Sequence, residues 1–475
     1  MPPNITLKLV DGVHIVVPDS LDLITTYVLR EQGDWFEDEI KFLRHLIQPG
    51  QRVIDIGANY GVYTLAMAKL VGPTGSVWAF EPASNTADLL ATSIATNNFS
   101  HVMLVRSALS NTTGTAQLSL NENSELNELV RGEQFMGASE TVPLVTLDAS
   151  MDSYGWKGID FMKIDAEGEE TNILRGGRNF LTSESPLIQY EIKAGDEFHL
   201  DLVRQFSALG YQSYRLVPGL NLLIPFDDEV AADGYLLNLF CCKPDRAAHL
   251  ATQGFLVKAA ANISSLNKFD VSHISNKSVG YDKYGWQETL VKLPYGKVLS
   301  ETWVKMMANS QSNEVEESLF LYSLSRDTSL PIAERFAALE ASYLKLKHLC
   351  ETQPVYLRLS SLARVARDYG ARSVAVNALG QLCNTIFQQR QVNPVEPFLA
   401  PGERFDSVSP HNQNSIGNWI AAAALEELER NQTFSSYYSG MSSMQRLELI
   451  HNIGLGGDEM QRRLILTRQR FGAVK

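Results

Sequence analysis

The chain has 475 residues, of which 44% are hydrophobic and 20% charged, and its formal net charge is −13. That length exceeds one ordinary domain, so two or three are expected, and the acidic balance argues against nucleic acid as the main partner. Four cysteines, two of them adjacent (Cys241 and Cys242), give neither a disulfide framework nor a metal-type spacing; with no apolar run near the roughly 18 residues of a membrane span and no apparent signal peptide, a cytoplasmic protein with reduced thiols is expected.

Residues 1–50 read as a preface. Leu7 to Val17 alternates like a hairpin around Asp11-Gly12, and a helix from Trp35 to Ile47 stops at Pro49-Gly50. From Arg52 to Lys243 strands and helices alternate. Strands are predicted near 52–57, 76–81, 101–106, 159–165, 186–192, 211–217 and 234–242, and helices near 61–70, 84–97, 169–181 and 196–209. This pattern predicts an α/β, Rossmann-like, mostly parallel sheet of seven strands over residues 51–245. Asn111 to Leu147 breaks the alternation and is the expected lid or substrate-recognition insertion. Residues 246–300 read as a connector or small irregular unit. Residues 301–475 read as an α-helical domain, with Val355 to Leu382 spaced like one tetratricopeptide-type helical hairpin.

The chemistry concentrates in two places. The first is Val53-Ile54-Asp55-Ile56-Gly57-Ala58-Asn59-Tyr60-Gly61, followed by Ala79-Phe80-Glu81-Pro82. An apolar run ends in an acid and a glycine turn, a helix follows, and a second apolar run delivers a carboxylate. In a nucleoside-binding sheet, Gly57 and Gly61 let backbone and ligand approach, and Glu81 is placed to hold two ribose hydroxyls. A dinucleotide fold would carry G-x-G-x-x-G to seat a pyrophosphate. Here Asp55 stands beside the turn, which repels phosphate but suits a ligand with an amino group and a cationic centre: S-adenosylmethionine. Asp55, Gly57, Ala58, Asn59, Gly61 and Glu81 are therefore the candidate cofactor residues, with Ser107 and Ala108 at the adenine edge. The structural alternatives are that Asp55 caps the following helix, that Glu81 is an exposed loop acid, and that Ser107 and Ala108 only fill a strand end.

The second place is Lys163-Ile164-Asp165-Ala166-Glu167-Gly168, where Lys163, Asp165 and, past the strand end, Glu167 share one side. The carboxyl ends of such strands carry active sites. A hydroxyl acceptor needs help to lose its proton, and Asp165 is the first candidate base. Glu167 and Glu191 are candidates for base, acceptor binding or a divalent metal. The alternative is an ion pair of Lys163 that only orders the strand end. His14, His45, His101 and His199 fall outside these motifs. The aromatic groups Tyr281-Tyr284-Trp286 and Phe434-Tyr437-Tyr438 suit sugar stacking, but such residues more often pack.

Six pieces in order resemble the FkbM methyltransferase family: Val53 to Asn59, Ala79 to Pro82, Ser107 to Ser110, Thr146 to Asp148, Lys163 to Gly168, and Pro186 to Glu191. They span roughly Glu31 to Cys242. The resemblance implies a class I fold whose last strand, Leu236 to Cys242, runs antiparallel. It also implies S-adenosylmethionine as cofactor, no obligatory metal, and O-methylation of a sugar hydroxyl in a glycan or related metabolite. Methylation of a nucleobase amino group is disfavoured, because Asp165-Ala-Glu-Gly168 replaces the Asp/Asn-Pro-Pro-aromatic loop of that chemistry. The alternative of a different class is an interaction or scaffold protein whose helical half docks a protein partner or another copy of itself, while the other half only senses cofactor.

Overall fold

The computed structural model describes residues 2–130, 137–194, 197–258, 285–307, 314–353, 355–389, 392–412 and 415–472. It divides into two compact units. Unit 1 comprises residues 1–216, 223–232 and 236–258, and unit 2 comprises residues 217–222, 233–235 and 259–475.

Unit 1 begins with an antiparallel hairpin, β1 (Asn4–Lys8) and β2 (His14–Pro18), turning at Gly12, and continues with helices α1 (Ile24–Gln32) and α2 (Asp38–Leu46). Helix α2 starts at Asp38, three residues later than predicted, with Asp38 and Glu39 in its first turn, where they complement the helix dipole. Trp35 and Glu37 are thus left in the stretch before the helix. The sheet strands follow: β3 (Arg52–Ile56), α3 (Val62–Val71), β4 (Ser76–Phe80), α4 (Ser84–Thr96) and β5 (Val102–Val105). Next come β6 (Ala108–Leu109), β7 (Gly114–Ser119), β8 (Ser139–Val145), α5 (Leu147–Tyr154) and β9 (Phe161–Ile164). The predicted helix over 169–181 is two helices, α6 (Glu170–Gly176) and α7 (Arg178–Ser183). The unit closes with β10 (Leu187–Glu191), the two-residue strands β11 (Lys193–Ala194) and β12 (Glu197–Phe198), α8 (Leu200–Ala208), β13 (Gln212–Val217), β14 (Leu222–Pro225), β15 (Asn238–Cys242) and α9 (Pro244–Thr252).

The main sheet has the order β14-β13-β15-β10-β9-β3-β4-β5. Strands β5, β4, β3, β9 and β10 pair in parallel, and β15 is antiparallel to both β10 and β13, as the family resemblance implies. The sheet has eight strands rather than seven. The extra edge strand, Leu222–Pro225, is too short to stand out as a periodic run. The central strands are buried on both faces and, apart from Asp55 and Lys163, apolar within the sheet, as expected of a parallel sheet covered by helices. One core joins Val53, Phe161 and Phe240 to Val17, Ile40, Phe42 and Leu43, so the first 50 residues pack on the sheet. The opposite core holds Trp78, Phe80, Trp156, Phe180 and Tyr190. Within 111–147, β7 and β8 join β6 in a small sheet of order β6-β8-β7.

Thr146 and Asp148, part of the family resemblance, act structurally. The Thr146 hydroxyl accepts the Ala149 N–H at 3.1 Å, capping α5, and Asp148 accepts the N–H groups of Asn179 and Phe180 at 3.2 and 2.8 Å.

Unit 2 is helical. The helices Arg358–Tyr369 and Arg372–Gln389 flank Gly370, whose φ of 90° gives the left-handed turn expected of the hairpin. The helix Ile416–Gln432 is buried nearly all round, including Glu426 and Glu429. Buried carboxylates persist only when paired: Arg404 holds Glu426 at 2.7 Å and Arg446 holds Glu429 at 2.9 Å. Tyr295 and Trp419 form part of the aromatic core, with ring centroids 4.8 Å apart. Tyr281 and Tyr284 lie outside the described residues, as does the side chain of Trp286. In the other cluster, Arg372 lies 4.2 Å from the Phe434 ring centre and Arg470 lies 3.8 Å from that of Tyr437, so these rings are engaged in packing. Among the described residues no helix is long and apolar enough to cross a membrane, and all four cysteines are free thiols.

Candidate active site

At the carboxyl ends of β3, β4 and β9, where an open α/β sheet offers its ligand crevice, unit 1 has an open cavity of about 1020 Å³, solvent at its mouth included. Asp55, Gly57, Ala58, Asn59, Glu81, Ser107, Ala108, Asp165 and Glu167 all line it. Gly61 stands one step back, capping α3. Its φ is 96°, and a Cβ there would fall 2.3 Å from Leu90 Cδ1. Glu191 ends β10 beside Asp165 and Glu167: one oxygen of each acid lies within 4.8 Å of the others. No histidine lines the cavity.

The glycine turn is shaped by its neighbours. The N–H groups of Gly57 and Ala58 donate to the Phe80 carbonyl at 3.1 and 2.9 Å, and the Asp165 N–H donates to the Ile56 carbonyl at 3.1 Å. Gly57 has a φ of 77°, and a Cβ on it would lie 1.7 Å from the Asp165 carbonyl oxygen. The strand ends therefore need glycine here before any ligand does. Asn59 is left-handed at φ 49°, a conformation asparagine tolerates. Its N–H donates to Glu81 Oε2 at 2.8 Å, while Ala83 N–H donates to Glu81 Oε1 at 2.8 Å. Glu81 is buried, not an exposed loop acid. Burial pushes its carboxyl up to about 7, against the pull of those two hydrogen bonds.

Asp55 is fully buried and accepts the Thr64 hydroxyl on Oδ2, while its Oδ1 has no hydrogen-bond partner. Burial raises its pKa, opposed chiefly by the Lys163 charge. Asp55 and Lys163 stand opposite each other on adjacent parallel strands, as do Lys163 and Gln189. Lys163 is 4% exposed, lies 4.7 Å from the Tyr63 ring centre, and pairs with Asp165 Oδ2 at 2.6 Å. Burial opposes its charge, but Asp165, Asp55 and Glu37 outweigh burial and raise its pKa.

The other two acids are perturbed. Glu191 is pushed up to about 9 by burial and then by the charges of Asp165 and Glu167. Partial loss of hydration, followed by the charges of Asp165 and Glu170, pushes the exposed Glu167 carboxyl upward. Glu167 also holds a φ of 42°, unusual outside asparagine and glycine and frequent at functional turns.

Sequence reasoning missed several lining residues. Thr25, Trp35 and Glu37 come from the first 50 residues, and Ser124 and Glu125 from the insertion. The Tyr63 hydroxyl donates to Glu37, Thr25 donates to Glu125, and Ser124 donates to Asn59 Oδ1 at 2.8 Å. No local motif marks these residues, because each depends on which segments the fold brings together. Seven carboxylates line the cavity (Glu37, Asp55, Glu81, Glu125, Asp165, Glu167 and Glu169) against one cation, Lys163.

The crevice is of the nucleoside-binding type, with an acid-lined floor. Residues 55–213 match the profile of the methyltransferase FkbM domain, a family of S-adenosylmethionine-dependent methyltransferases. No curated protein sequence matches the chain. Among solved structures it is similar to methyltransferase FkbM from Methylobacillus flagellatus KT, at 16% identity over 43% of this chain and 50% of that one, with a TM-score of 0.27. It is also similar to a SAM-dependent methyltransferase from Aquifex aeolicus (12% identity, 45% and 91% covered, TM-score 0.26). A third is a SAM-dependent O-methyltransferase from Thermotoga maritima (14% identity, 51% and 78% covered, TM-score 0.26).

Proposed function

We propose that the chain is an S-adenosylmethionine-dependent O-methyltransferase acting on a sugar hydroxyl of a glycan or related metabolite. The observation that supports it best is a cavity at the strand ends lined by seven carboxyl groups, Asp55 and Glu81 among them, against one cation. Such a lining rejects phosphates and favours a cationic ligand bearing an ammonium group. When bound, S-adenosylmethionine supplies an electrophilic methyl group. Asp55 would hold the ammonium. Each Glu81 oxygen keeps a lone pair beyond its backbone bond for a ribose hydroxyl, and Ser107 and Ala108 would border the adenine.

The acceptor end divides the acids by charge. Asp165, paired with Lys163 through Oδ2, would serve as the base, its Oδ1 taking the proton that the acceptor hydroxyl gives up on methylation. Glu191, with its pKa raised to about 9, holds a proton at neutral pH and can donate a hydrogen bond to another acceptor oxygen, and Glu167 stands beside it to accept one. The same three acids would be the ligands of a divalent cation if the reaction uses one.

The test has two steps. Mass spectrometry of glycans from a deletion strain identifies the acceptor. Turnover of Asp165→Asn on it, with and without EDTA, then separates the base from the metal. Loss of turnover in Asp165→Asn with EDTA inert for the wild type supports the base. Loss on EDTA addition moves the role to a metal, and near-normal turnover of the variant removes Asp165 from the chemistry.

A further inference from the structure

We infer that Trp35 and Glu37, which precede the matched methyltransferase domain, form the wall that selects the acceptor. They bind a polyhydroxylated ring by stacking on its C–H face and accepting one of its hydroxyls. This rests on the reading above that the cavity takes S-adenosylmethionine and methylates a hydroxyl.

Placement is the first argument. The proposed cofactor contacts sit on the turn after β3 and just beyond β4 and β5. Glu37 lies at the other end, close enough to Lys163, Asp165 and Glu191 for their charges to perturb or be perturbed by its own. It therefore borders the space beside the base. Both Trp35 and Glu37 line the cavity and keep part of their surface exposed.

Rigidity is the second argument. Glu37 accepts the Tyr63 hydroxyl. The Tyr63 oxygen in turn accepts from Gln189 Nε2 at 3.2 Å. The Trp35 ring leans on Phe36, with centroids 4.6 Å apart, and on the hydrophobic core. An aromatic plate and a carboxylate locked at fixed relative positions are pre-organised for a ligand that is apolar on one face and hydroxylated at its rim. A pair serving only to pack would not need to present both groups to the cavity.

The test uses the full-length protein loaded with S-adenosylhomocysteine and titrated calorimetrically with a panel of methyl glycosides, with catechol as a flat phenolic comparison. At least one glycoside should bind the wild type. Trp35→Ala and Glu37→Gln should weaken that binding by about tenfold or more, the usual size of a lost charged hydrogen bond or stacking contact. Trp35→Phe, which keeps the apolar plate, should recover part of it. S-adenosylhomocysteine affinity should stay within about twofold in all variants, a split that misfolding would not produce. The inference is overturned if no glycoside binds, if catechol alone binds, if the variants bind glycoside like the wild type, or if both ligands are lost in parallel. Failure of the wild type to bind S-adenosylhomocysteine would overturn the proposed function and this inference with it.

Discussion

Replacing Glu81 by glutamine tests the cofactor end with little change of shape. Glu81 uses both oxygens on backbone donors, the N–H groups of Asn59 and Ala83, each at 2.8 Å. Glutamine has one acceptor oxygen, so in either orientation its NH₂ group faces one of these donors. That conflict costs the fold about 1–3 kcal/mol. The ribose would lose charge-assisted acceptors worth about 1.5–3 kcal/mol each. A net loss of about 2–3 kcal/mol in binding is roughly 30- to 150-fold in affinity. The wild type carries a further signature. Burial holds the Glu81 carboxyl up at about 7, and only the ionised form can accept from two hydroxyls while keeping both backbone bonds. S-adenosylmethionine affinity should therefore weaken as pH falls below about 7, and in Glu81→Gln that dependence should vanish. Calorimetric titration at pH 6 and 8, with melting curves on the same samples, measures both effects. Affinity within twofold of wild type in a normally folded variant would refute the ribose assignment.

Asp165→Asn should lower turnover by about 10²-fold or more, with calorimetric S-adenosylmethionine affinity changed far less. Gly57→Ala forces a Cβ to 1.7 Å from the Asp165 carbonyl, so melting temperature and cofactor binding should fall together; loss of binding alone would mean that the glycine serves the ligand and not the strand ends. Glu191, raised from 4.5 to about 9, binds its proton more tightly in the folded state than in the unfolded state. Its stabilising contribution is full below about pH 4.5 and is lost as pH rises through about 9. Thermal melts from pH 5 to 9 should fall less steeply for Glu191→Gln than for wild type, and parallel curves would contradict the assignment.

Legibility in the sequence followed locality. The turn from Asp55 to Gly61, the acid after β4 and the Lys163–Gly168 segment are contiguous, so apolar runs ending in glycine and acid residues revealed both their elements and their position at the strand ends. The antiparallel last strand was legible only through family resemblance. Trp35 and Glu37 were hidden inside a predicted helix. The helix instead starts at Asp38, where acids meet the dipole, and the two residues before it are released toward the cavity. Ser124 and Glu125 lie about 65 to 100 residues from their partners Asn59 and Thr25, a separation no periodicity reports. Gly57 has a second role that its motif does not show, because the turn also approaches the neighbouring strand end. Thr146 and Asp148 belong to the family pattern because they cap helices.

The most direct measurement is equilibrium binding of S-adenosylmethionine to the full-length protein, by calorimetry and by shift of the melting temperature, with NAD and ATP as controls. The account predicts saturable binding at one site per chain, displaced by S-adenosylhomocysteine and weakened in Glu81→Gln, with no binding of the phosphate-bearing controls to a cavity lined by seven carboxylates. A folded protein that ignores S-adenosylmethionine, or that binds NAD or ATP in its place, would contradict it.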